Sequence, residues 1–185
     1  MFDFITELDF SILYSIQNLR CEFLDGLCSF LSVAFDKGIG WFVICAVLLI
    51  FKKTRFAGVV MLVSVGLTFL TGELFIKNTV CRVRPCNQDL SVLIPVSRPS
   101  SFSFPSGHTG SSFAAAVSLF LCNKKLGSAA LALATVIALS RLYLFVHFPT
   151  DVLVGAILGT IFAVVCVILL RKAGLERKLS GPAKA

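Results

Sequence analysis

Apolar residues fall along this chain in long blocks, broken by short polar or basic clusters. The first block, near residues 4–19, carries Glu7 and Asp9 among Phe, Ile and Leu, and reads as an amphipathic helix lying at an interface. Blocks near 21–36, 38–52, 55–78, 107–123, 126–147 and 150–171 follow, and each predicts a membrane-crossing helix. A crossing needs about 20 residues, so the short 38–52 block predicts tilt or local thinning. The block at 107–123 begins at a histidine, which would set its start below the lipid headgroups. The expected architecture is therefore all-α: an integral membrane six-helix bundle, one domain over 1–185, with a short amphipathic segment over 1–20. Residues 79–105 form the one long connection, and connections of that length are usually functional or disordered. Its Ser97-Arg98-Pro99-Ser100-Ser101 stretch predicts an irregular cap over whatever site the bundle holds.

Composition sharpens this picture. The 185 residues are 57% hydrophobic, against roughly 45–50% apolar in soluble domains, and the mean hydropathy is +0.91. The net charge of +7 is concentrated at Lys52-Lys53-Thr54-Arg55, at Lys124-Lys125 and between Arg171 and Lys178. Each cluster abuts an apolar block, which argues for cytoplasmic anchoring and against a nucleic-acid partner. With Lys52 and Lys53 in the cytoplasm, successive crossings place Lys124-Lys125 and Arg171-Lys172 there too. The 79–105 connection and the His147–Asp151 turn then fall on the extracytoplasmic side. The N-terminus, with Asp3, Glu7 and Asp9, lacks the positive region of a cleavable signal peptide.

The seven cysteines show no metal-binding CxxC spacing. Cys28, Cys45, Cys122 and Cys166 lie in apolar blocks, where cysteine acts as a small hydrophobe. Cys81 and Cys86 flank Arg84-Pro85, and both a disulfide and a pair of free thiols fit that placement.

The candidate chemistry sits at the ends of the apolar blocks, where ionisable groups are costly and usually functional. Lys77 ends one block, and Arg84-Pro85 follows. Alone, Lys77 reads as a snorkelling lysine; with Arg84 it can grip a phosphate, lysine as a point charge and arginine bidentately. Pro105-Ser106-Gly107-His108 precedes a small-residue helix. Ser106 is a natural N-cap, Gly107 allows close backbone approach, the helix start favours an anion, and His108 can donate a proton. Arg141 lies in an apolar block with no acid beside it, His147 near that block's end, and Asp151 at the next helix start. Asp151 can cap that helix, or accept the second ring N–H of His147 and fix its tautomer.

Lys77-x6-Arg84-Pro85, Pro105-Ser106-Gly107-His108 and Ser140-Arg141-x5-His147-x3-Asp151 together resemble the three motifs of the type 2 phosphatidic acid phosphatase superfamily, with no departure at a motif position. That family contains bacterial membrane lipid phosphatases and is related to vanadium haloperoxidases. The resemblance implies that His147 is a nucleophile forming a phosphohistidine, oriented by Asp151, and that His108 protonates the leaving group and then helps water attack. It implies that Lys77, Arg84, Ser106, Gly107 and Arg141 hold the phosphoryl oxygens, with no metal and no cofactor. Phosphoryl transfer depends mainly on positioning and charge stabilisation, which suits such a set.

The substrate expected is a lipid phosphate or diphosphate whose tail stays in the bilayer, with undecaprenyl diphosphate preferred and phosphatidate or phosphatidylglycerol phosphate as rivals. A lipid phosphotransferase shares the chemistry and differs in the acceptor. A phosphate-binding transporter is the non-enzymatic alternative, against which the two histidines and Asp151 argue. The motifs recognise phosphate, so they do not select the lipid, and they leave the oligomeric state open.

Overall fold

The structure, a computed structural model, describes residues 2–180, and the regular elements among them are all helical. Helix α1 (Phe2–Gln17) leads into α2 (Glu22–Ala34) and α3 (Ile39–Ile50). A break at Lys37 (φ 48°) and Gly38 (φ 80°) separates α2 from α3. Their axes meet at 45°, so the two blocks expected at 21–36 and 38–52 join at a bend and are long and apolar enough for a span only together. The two left-handed residues deflect the chain there without reversing it.

Helix α4 (Arg55–Phe69) continues through a π-type segment, Leu70–Ile76, into α5 (Lys77–Val80). The short α6 (Pro85–Gln88) follows. The remaining helices are α7 (Gly107–Cys122), α8 (Lys124–Tyr143), α9 (Pro149–Lys172) and α10 (Leu175–Ser180). Three stretches, 55–88, 124–143 and 149–172, are each long and apolar enough to cross a bilayer, as is the bent α2–α3 pair. The boundaries follow local signals. Asn123 ends α7 and caps α8, accepting from Leu126 N–H at 3.1 Å, and Pro149 occupies the first turn of α9.

Helix α7 is the central post. Its small residues Ala114, Ala115, Ala116 and Ser118 are buried against α3, α4 and α8. Trp41 Nε1 donates to Ser112 Oγ at 2.8 Å, and the Ser64 and Ser118 hydroxyls meet at 2.8 Å. Against α9 the contact is backbone to backbone. A Cβ on Gly155 would stand 2.7 Å from the Ser106 carbonyl oxygen, and one on Gly159 would overlap the Gly110 carbonyl. Small residues permit such approach, the usual device for packing helices in lipid. Outward faces stay apolar: Leu153, Ile157 and Ile161 of α9 are each at least half exposed.

The two ends of the bundle differ. Phe56, Val60, Cys166 and Val167 form a core at one end, where Arg171 Nη2 donates to the Leu121 carbonyl at 3.1 Å. The basic clusters gather near this end. At the other, Leu13 of α1 is fully buried beside Phe145 and Phe148, and the Phe10 ring meets Phe148 edge-on at 5.1 Å. The expected interfacial segment is thus docked on the bundle. Its opposite side, including Phe4 and Leu8, stays exposed. Cys81 is exposed, Cys86 is buried, and both are free thiols.

Candidate active site

A cavity of about 730 Å³ opens at the end of the bundle away from the basic clusters. Its walls include Lys77, Arg84, Gly107, His108, Arg141 and His147, drawn from α5, the chain before α6, α7, α8 and the α8–α9 turn. Three stretches far apart in sequence therefore meet around one space, sized like an ordinary small-ligand site. Asp151 and Ser106 stand behind this wall, both fully buried. The Ser106 hydroxyl faces the first turn of α7, 2.9 Å from Thr109 Oγ1 and 3.4 Å from Thr109 N, and is absent from the cavity lining. Of the residues expected to touch phosphate, Ser106 alone is turned away. Its backbone N–H donates to the Asp151 carbonyl at 3.1 Å and pins the start of α7 to the start of α9.

The two arginines are the site's main electrostatic feature. Arg84 is 5% exposed and Arg141 is 2% exposed, and among the described residues neither has a carboxylate within ion-pair distance. Neutral acceptors hold them instead. Arg84 donates to the Ser101 carbonyl at 2.8 Å, Ser101 Oγ at 3.0 Å and the Val146 carbonyl at 2.9 Å. Arg141 donates to Ser140 Oγ at 2.8 Å and to Ser32 Oγ at 2.8 Å. A buried cation is normally paired. Two held by neutral groups at the wall of one cavity make a receptor for an anion.

The hydrogen bonds also settle which ring nitrogens carry protons. Arg84 Nη1 lies 3.0 Å from His147 Nε2. Guanidinium cannot accept, so His147 Nε2 presents its lone pair and the ring proton sits on Nδ1. Nδ1 points to Asp151 Oδ2 at 3.5 Å, long for a hydrogen bond, and is otherwise a buried N–H without a partner. His108 shows the opposite arrangement. Its Nε2 is 3.0 Å from the Ser32 carbonyl oxygen, which can only accept, so Nε2 carries the proton. One histidine thus offers a basic nitrogen beside a guanidinium, and the other holds an N–H against a carbonyl.

Residues 56–175 match the PAP2 superfamily. The chain belongs to that superfamily. It is 33% identical over 138 residues to an undecaprenyl-diphosphatase from Sulfolobus acidocaldarius, covering 74% of this chain and 66% of that protein. The chain thus spans just under two thirds of that relative. It is 30% identical over 173 residues to a lipid A 4'-phosphatase from Bacteroides thetaiotaomicron, covering 86% of this chain and 75% of that protein. The crystal structure of a transmembrane PAP2-type phosphatidylglycerolphosphate phosphatase from Bacillus subtilis superposes with a TM-score of 0.72 at 27% identity, covering 91% of this chain and 87% of that one.

The superfamily motifs alone do not reveal what supports the site. Asp151 is held by Arg82 Nη1 at 2.7 Å, by the Phe148 N–H at 2.9 Å and by the Ser103 hydroxyl. Arg82 also donates to Thr150 Oγ1 at 2.7 Å and to Asp9 Oδ2 of α1 at 2.8 Å, and lies over the Phe148 ring with 3.9 Å between guanidinium carbon and ring centre. Asp9 in turn accepts from the Thr150 hydroxyl at 2.6 Å. Ser101 and Ser103, two apart on the long connection, therefore brace Arg84 and Asp151. The connection acts as a strut beneath the cavity as well as a cover. Residue order does not signal this network: Arg82 lies in the long connection two positions before Arg84, and Asp9 in the N-terminal amphipathic block, with no hint that they pair.

Proposed function

We propose that the protein is a membrane lipid phosphatase working through a phosphohistidine at His147. The observation that carries this reading is the lone pair of His147 Nε2, held beside Arg84 in a cavity where Arg84 and Arg141 lack carboxylate partners. His147 Nε2 attacks phosphorus, the bond from phosphorus to the leaving oxygen breaks, and His108, entering the step doubly protonated with its Nε2–H kept on the Ser32 carbonyl, gives that oxygen its Nδ1 proton. His108 then takes a proton from water as the water oxygen attacks the phosphohistidine. The N–P bond breaks, and inorganic phosphate and neutral His147 result. Arg84, Arg141, Lys77 and the free N–H groups at the start of α7 steady the phosphoryl oxygens. Asp151 lies within a small movement of His147 Nδ1 and takes up the positive charge that grows on the ring during attack. Ser106 contributes through the helix start that it caps.

The preferred substrate is undecaprenyl diphosphate. Two points support it: the likeness to a relative named for that activity, and a cavity with room for more than one phosphoryl group. The basic clusters at the far end support an extracytoplasmic site in a cytoplasmic membrane. The test is to offer the purified protein undecaprenyl diphosphate, phosphatidate and phosphatidylglycerol phosphate side by side. The expected result is release of inorganic phosphate, with the highest kcat/KM on the diphosphate. Release from none of the three would refute the phosphatase reading. A higher kcat/KM on either monophosphate would refute the substrate.

A further inference from the structure

Of the three buried cations at the cavity, Lys77 differs in having an acidic partner. Its Nζ lies 2.6 Å from Glu73 Oε1, one turn earlier on the same rod. Glu73 belongs to the π-type segment Leu70–Ile76, a helix irregularity common at functional positions. Its carboxylate lines the cavity with the arginines and histidines. It also lies against Gly107, where an added Cβ would overlap Glu73 Oε1 and stand 4.0 Å from Lys77 Nζ. Gly107 is not among the residues with positive φ, so its backbone conformation does not demand glycine. What the missing side chain provides is space, and an anionic oxygen fills it.

That oxygen sits at the first residue of α7 and in contact with Lys77. These are the two groups to which the phosphatase reading assigns a phosphoryl oxygen. We propose that Glu73 is the resident anion of the phosphate site: its carboxylate stands where a phosphoryl oxygen must go and is displaced when substrate binds. The proposal rests on the phosphate-site reading and adds a residue that sets the site's affinity for anions. Two buried guanidinium groups, a lysine and a helix start would retain inorganic phosphate after hydrolysis. A carboxylate able to return to Lys77 competes with that product and promotes its release.

The test is Glu73→Gln, which keeps the shape and removes the charge. Vanadate and inorganic phosphate serve as probes, with inhibition measured during turnover and binding measured calorimetrically on the detergent-solubilised protein. The expected result is inhibition by both anions at concentrations at least about tenfold lower than for the unaltered protein. Unchanged or weaker anion binding would overturn the proposal, because Glu73 would then only orient Lys77. If neither anion binds the unaltered protein, the phosphate-site reading itself fails, and this inference with it. If Glu73→Gln does not fold, Glu73→Ala reports the same quantity, and the same absence of tightening counts against the idea.

Discussion

Replacing Arg82 by methionine tests whether the Asp9–Arg82–Asp151 network supports the site. Methionine keeps most of the length and the contact with Phe148, and removes the charge. Asp151 is fully buried and Asp9 is 2% exposed, so both carboxylates would lose a cation without gaining water. Removing one partner of a buried pair costs roughly 3–5 kcal/mol. The Arg82 side chain is 19% exposed, and each carboxylate keeps neutral donors, Thr150 for Asp9 and Ser103 with the Phe148 N–H for Asp151. The lower end, about 3 kcal/mol, is therefore the expectation. For a chain of this size that is a fall of roughly 6–12 °C in Tm. Differential scanning fluorimetry in one detergent gives the shift, and Asp9→Asn with the double variant gives the coupling, expected at about 1 kcal/mol or more. A fall under about 2 °C with additive single effects would refute the network as a stabilising element. Kinetics separates support of the fold from support of the chemistry. A positioning role lowers kcat with KM little changed, whereas a purely structural one leaves the kcat of the folded fraction intact.

Three further outcomes are expected. His147→Ala should fold normally by circular dichroism and release no phosphate; activity within a few-fold of the unaltered protein would remove it as nucleophile. Asp151→Asn places an amide N–H against either Arg82 or the Ser103 and Phe148 donors, so it should cost about 1–3 kcal/mol of stability and lower kcat by roughly a hundredfold or more through loss of histidine orientation. An unchanged kcat would leave Asp151 as no more than a helix-start residue. Gly159→Val drives a side chain into the Gly110 carbonyl, so it should push α9 off α7 and lower Tm, by about 1–3 kcal/mol of stability; an unaltered melting curve would contradict the backbone contact described.

The membrane character, the helical class and the three motifs were legible in the residue order. The helix at 107–122 begins at the serine expected to cap it, and α9 begins at Pro149. The crossing pattern was less legible. The blocks either side of Lys37 look alike as hydropathy, and only the backbone shows a deflection in place of a reversal. The motif positions also did not show where a side chain points. Ser106 reads equally well as cap or phosphate ligand, and its hydroxyl lies with the cap. Glu73 carried no motif signal, because its importance comes from the empty Cβ position at Gly107.

The residue order by itself determined what depends on near neighbours: runs of apolar side chains long enough for a bilayer, helix ends marked by Ser, Asn and Pro, and side chains of the types that grip phosphate. Tertiary structure alone decided who supports whom. Asp151 meets Arg82 across 69 positions, Arg82 meets Asp9 across 73, and Arg141 meets Ser32 across 109. The physical reason is that a buried charge must find a partner wherever packing brings one, and packing in lipid is governed by close backbone contact between small residues. Such contacts fix the angles between helices, and nothing local in the chain encodes those angles.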